Sequence, residues 1–257
     1  MKTRLLPSLA TGPAAGLFRH IPLFSALVAS VNTLAAQPAR DSTPEGLAPT
    51  DWQGIRQAYD AHRHAIVRQD DGTFTAHNPG QSWTTKFDGR GFTVAPQGDE
   101  WTWGLELKSY GVAGHLQPVG GTSNATTDGR RLEYRRDAKL TEWFVNDRRG
   151  VEQGWTLHAR PEGCNAGEGL QLTLSVRGDL VPEVTDTSVA FTARNGSRTL
   201  TYSGLRAWDA DGREVPAHFA TTGEAGNSFA VKLNDTNRRY PLTIDPIAQQ
   251  AYLKASN

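Results

Sequence analysis

The chain has 257 residues, 37% apolar and 21% charged, enough for one large or two small globular domains and too apolar for a disordered polymer. Its 27 basic residues balance 27 acidic ones, so it lacks the basic field that a phosphate backbone requires, and nucleic acid is not an expected partner. A single Cys excludes an internal disulfide framework, while 26 Gly, 14 Pro and 7 Trp point to turn-rich β structure.

Lys2, Arg4 and Arg19 form a positive leader with no acid, Ile21 to Ala36 is an apolar stretch, and Leu34-Ala35-Ala36 supplies small residues for cleavage. Residues 1–36 therefore read as a secretory signal peptide, which predicts an extracellular or cell-envelope location. Pro22, Ser25, Ser30, Asn32 and Thr33 interrupt the stretch, which falls short of the ~20 apolar residues of a spanning helix, so no transmembrane segment is expected after cleavage. Residues 37–50, rich in Pro, Ser, Thr and Ala without periodicity, read as a flexible linker.

Thr50-Asp51 can cap a short helix in which Trp52, Ile55 and Tyr59 form one apolar stripe, suited to lie on a sheet. From Ala65 the period switches to two. Trp101, Trp103, Leu105 and Leu107 alternate with polar or small residues, as do Leu170, Leu172, Leu174 and Val176; the pattern recurs at Phe229, Val231, Leu233 and at Tyr240, Leu242, Ile244. Between such runs stand Asp71-Gly72, Asp88-Gly89, Asp128-Gly129, Asn195-Gly196 and Asp211-Gly212, pairs that supply the positive φ angles of tight hairpins. The expected fold is an all-β antiparallel sandwich over residues 51–247 with one short N-terminal helix, either a single body or two lobes divided at 161–169.

No nucleophile elbow, zinc-protease helix, phosphate loop or paired-cysteine metal spacing occurs in the chain, and no cofactor is expected. Cys164 is a lone thiol in the loop Pro161-Glu162-Gly163-Cys164; a nucleophilic thiol needs a base held beside it, which sequence does not show, so no catalytic role is assigned to it. His62-Arg63-His64 has two imidazoles at a metal-like spacing, but a solvated helix terminus is the favoured reading, so no metal site is assigned. Asp209-Ala210-Asp211-Gly212 resembles the start of a calcium loop, but its glycine falls too early and the distal acid is missing, which favours a hairpin turn.

The remaining constellation is aromatic. If Trp101, Trp103, Trp143 and Trp155 were exposed along one face, their indoles would stack on sugars, and Glu100, Glu106 and Glu142 would be the acids from which a hydrolytic pair ~5–9 Å apart could be drawn. Alternation instead puts Trp101 and Trp103 on the face of Leu105 and Leu107, the face a sandwich buries, and turns Glu106 to the opposite side. No catalytic residue is assigned.

"LTYSGLRAWDADGREVPAHF" and "RRYPLTIDPIAQQAYLKASN", with the upstream stretches "AHNPGQSWTTKFDGRGFTV", "WTWGLELKSYG" and "EWFVNDRRGVEQGWTLHARPEG", resemble the N-terminal region of bacterial secreted proteins that carry FG-GAP (integrin-α-like) β-propeller repeats. The resemblance covers about Asp51 to Asn257 and excludes the repeats themselves, which this chain lacks. It implies a non-catalytic head module acting as spacer, cap or binding module, with a downstream β-propeller domain expected in cis and a surface glycan or protein as ligand. In this reading "YPLTIDP" is a closing strand. Pro241 suits an edge position, Pro246 blocks continuation, and residues 248–257, with Ala251-Tyr252-Leu253, lead into the next domain. The alternative is a carbohydrate-binding or carbohydrate-active module using the tryptophans and a Glu pair.

Overall fold

Residues 43–98, 101–122, 124–163, 168–193, 198–222 and 226–250 are described in a computed structural model. The signal peptide, the start of the linker (37–42), Glu100, Cys164, Asn195-Gly196 and Ala251-Tyr252-Leu253 lie outside the described residues. Helix α1 (Pro49–Arg63) starts inside the expected linker: Pro49 takes the first turn, where its missing amide costs nothing, and Ala48 is the N-cap, without a side-chain cap. The expected Thr50-Asp51 cap therefore lies within the helix.

Seventeen strands follow among the described residues: β1 (Ile66–Arg68), β2 (Phe74–Asn78), β3 (Trp83–Phe87), β4 (Gly91–Pro96), β5 (Trp103–Val112), β6 (His115–Pro118), β7 (Ala125–Asp128), β8 (Arg131–Arg135), β9 (Leu140–Asp147), β10 (Gly150–Leu157), β11 (Leu170–Gly178), β12 (Val181–Val184), β13 (Ser188–Thr192), β14 (Arg198–Trp208), β15 (Ala217–Thr221), β16 (Ser228–Leu233) and β17 (Leu242–Gln250). Sheet A runs β1-β2-β3-β4-β5-β11-β16-β15, with β6 added to β5; sheet B runs β12-β13-β14-β17-β10-β9-β8-β7. Every pairing is antiparallel, and Gly72, Gly89, Gly129 and Gly212 of the Asp-Gly turns take φ between 57° and 81°. The fold is thus an all-β sandwich. Segment 161–169 does not divide it into lobes, because β11 pairs with β5 in sheet A and β10 with β17 in sheet B.

The inward faces meet in one aromatic core. Phe87, Phe92, Trp103, Phe144, Phe191, Tyr202, Phe219 and Phe229 form a chain of tilted and edge-to-face contacts with centroids 4.9–6.4 Å apart. In β5 the buried positions change from Trp103, Leu105 and Leu107 to Tyr110 and Val112, since the register with β11 slips by one residue at Lys108.

β17 departs from expectation in two ways. It is a central strand, hydrogen-bonded to β14 on one side and β10 on the other, and it continues through Pro246 to Gln250. Pro241 precedes the ladder and so does not constrain its place. Opposite Pro246, β14 inserts one extra residue at Gly204-Leu205, and Gly204 adopts φ 69°. That bulge bends the partner strand away where the proline cannot donate, which lets a proline sit in mid-sheet.

Nothing on α1 is buried: Ile55 is 49% and Tyr59 61% exposed, so the expected packing of its stripe on a sheet does not occur. Instead Arg56 lies over Trp52 and Arg63 over Tyr59, at 5.8 and 5.3 Å from the ring centroids.

Candidate functional site

The aromatic candidates are dispersed rather than assembled. Trp103 and Trp155 are wholly buried between the sheets, and Trp101 is partly buried against the core. Trp143 faces outward from β9 but is only 5% exposed: its indole lies flat over Gly154, where a Cβ would come within 2.2 Å of the ring, and the Arg131 guanidinium covers it at 4.5 Å. A sugar stacking there would have to displace that arginine.

The acids are equally committed. Glu106 faces outward as expected and pairs with Lys108 at 3.0 Å. Glu142 is completely buried and forms an ion pair with Arg136, whose side chain is 1% exposed. Arg136 Nε donates to Glu142 Oε2 at 2.8 Å, and its terminal nitrogens donate to the carbonyls of Gly89, Gly120 and Arg90 at 2.6–3.1 Å. Gln153 Nε2 donates to the other Glu142 oxygen at 2.6 Å, and the buried Tyr202 hydroxyl donates to Gln153 Oε1 at 3.1 Å. Each charge is thereby satisfied without water, as a low-dielectric interior demands. The network ties loops 89–90 and 120 to sheet B. Burial first, and the Glu142 charge second, push the Tyr202 hydroxyl far above its usual range.

Sequence reading missed a second carboxyl pair. Glu152 on β10 and Asp245 on β17 project from the outer face of sheet B, with Arg149 bound to Glu152 at 2.5 Å and Arg206 opposite Asp245 in the register of β14. Burial, followed by the charge and hydrogen bond of Glu152, pushes Asp245 up to about 6, while Arg149 and Arg206 pull the other way. Asp245 was visible only as the residue before a proline, and its partner is 93 positions away in sequence.

His64 corrects the expectation of a solvated terminus. It is 2% exposed, caps α1, and donates from Nδ1 to the Asp60 carbonyl at 2.8 Å, while Asn146 Nδ2 donates to the His64 carbonyl at 3.0 Å. Asn146 belongs to a knot in which Asn78 Nδ2 bonds Asn146 Oδ1 and the Asp147 carbonyl at 2.7 and 2.6 Å, locking β2 to β9. Among the described residues no three His, Cys, Asp or Glu side chains are grouped to hold a metal. Asp209 accepts from the amides of Asp211 and Arg213 at 2.9 Å and from Arg213 Nε, so it braces the turn. Burial opposes its charge, yet these bonds hold its carboxyl down at about 2.

Among the described residues, open hollows lie on the sheet faces. One of about 400 Å³ lies on sheet B beside Glu133, Arg135 and His158, whose Nε2 is 3.0 Å from Thr141 Oγ1. Two others, of about 490 and 500 Å³, lie side by side on the outer face of sheet A and share Gln171. No protein-family model matches the chain, and no curated protein matches its sequence.

Proposed function

We propose that the chain is a non-catalytic head module of a secreted or cell-surface protein of the FG-GAP type, a spacer, cap or binding module ahead of a β-propeller array borne on the same polypeptide. The observation that carries this reading is the place of β17, the last described strand, between β14 and β10. A domain attached beyond Gln250 would load two hydrogen-bonded ladders at once instead of peeling an edge strand. The engagement of Glu142 by Arg136 and of Glu106 by Lys108, with Trp103 and Trp155 in the core, weighs against the carbohydrate-active alternative.

The DNA downstream of the Asn257 codon tests the architecture: an open frame running into FG-GAP repeats is expected, and an in-frame stop followed by unrelated sequence refutes it. Residues 37–257 are expected to release no sugar from a broad polysaccharide panel, and hydrolysis of any of them would refute the non-catalytic reading.

A further inference from the structure

The two hollows on sheet A form one trough across β5, β11, β16 and β15, three inter-strand spacings or about 14 Å wide. Its chemistry is set by cross-strand register. His218 stands opposite Lys232, and Lys232 opposite Gln171, which in turn faces Gly111; the next row is Ala220, Ala230, Thr173 and Ser109. Small residues thus leave space in the floor between Gln171, Thr173 and Ser175 on one strand and Lys232 and His218 on its neighbours.

The backbones of β5, β11 and β16 are paired on both sides, with β15 as the edge, so a ligand lying across this floor is read by side chains. Lys232 and His218 are exposed, and neither forms an ion pair among the described residues. Among the described residues no carboxylate lines either hollow, and Glu106, the acid of β5 on this face, is neutralised by Lys108. Hydroxyl and amide groups that both donate and accept match the hydroxyls of a sugar chain, and the unpaired cation matches a negative charge on it.

We infer that this trough binds a linear acidic polysaccharide bearing carboxylates, with Lys232 on a carboxylate and Gln171 and Thr173 on ring hydroxyls. The inference rests on the binding-module aspect of the proposed function and uses none of the tryptophans.

The test is calorimetric titration of residues 37–257 with a hexameric oligouronate and with a neutral hexasaccharide, followed by chromatography of the same samples for shorter sugars. The oligouronate should bind and the neutral sugar much more weakly; Lys232→Gln should weaken oligouronate binding about 10-fold, the value of one charge-assisted hydrogen bond, and Gln171→Ala should weaken it several-fold, with unchanged thermal unfolding in both. Absence of oligouronate binding, equal binding of the neutral sugar, or full binding by both variants would overturn the site and leave the head-module reading standing. Binding accompanied by cleavage would instead overturn the non-catalytic reading and leave the site standing.

Discussion

Removing the Arg136 side chain is the sharpest probe of the interior. In Arg136→Ala the fully buried Glu142 would keep only Gln153 as a partner, and the carbonyls of Gly89, Arg90 and Gly120 would lose their donor. Breaking one half of a buried pair costs about 3–5 kcal/mol, since the remaining charge stays desolvated. For a domain of this size each kcal/mol is worth roughly 2–4 °C, so the midpoint should fall by about 6–20 °C. Thermal unfolding followed by tryptophan emission measures it, with buried Trp103 and Trp155 as reporters. Replacing both partners, Arg136→Met with Glu142→Leu, should recover more than half of the loss, short of full recovery because Gln153 is then left without an acceptor, at about 1–3 kcal/mol. A single-variant loss below about 1 kcal/mol, or a double variant weaker than the single, would refute the account of this pair as an internal staple.

Two further perturbations test the outer face of sheet B. Because the folded pKa of Asp245 lies above its ordinary value of 3.8, its contribution to stability is fully present below about pH 4 and is lost as pH rises through about 6. Asp245→Asn should therefore exceed the parent in stability at pH 7, by at most about 3 kcal/mol and nearer half that after solvent screening, with the gap closing by pH 4; melting curves from pH 4 to 8 check this, and a gap independent of pH would contradict it. Gly154→Ala places a methyl in the Trp143 ring and should cost about 1–3 kcal/mol with a changed near-ultraviolet circular dichroism signal, whereas an unchanged spectrum would mean that the indole does not rest there.

What was legible in the sequence is what depends on local period. Leu170 to Val176 alternate without interruption and form a strand buried on alternate residues, and the Asp-Gly pairs mark real turns. The readings that failed needed a partner that local period does not show. Lys108 carries no mark of the bulge that reverses the buried parity of β5, which arises from its pairing with β11. The stripe Trp52, Ile55, Tyr59 has the spacing of a packed helix, but spacing does not say whether a surface is there to meet it. Glu142 stood in the sequence only as one acid of a possible hydrolytic pair, because its counter-ion Arg136, six residues away, reaches it across the end of the strand. Of the candidate site, Trp101 and Trp103 were expected on the buried face; Trp103 is wholly buried and Trp101 partly so. The trough on sheet A escaped notice because its rows are set by the register of four strands drawn from residues 109 to 232.

The proline in β17 shows how the same limit acts on function. Read alone, Pro241 and Pro246 bracket a short edge strand, and an edge is where a chain is most easily peeled or joined by another. The structure moves the first proline out of the ladder and matches the second with Gly204, whose positive φ lets β14 bulge at the place where a donor is missing. A proline that would mark an edge thus becomes compatible with the centre of the sheet, provided its neighbour carries a glycine. Pro246 and Gly204 therefore act as one unit: any residue other than glycine at 204 would strain the bulge by about 1–2 kcal/mol and loosen β17 where it is paired on both sides.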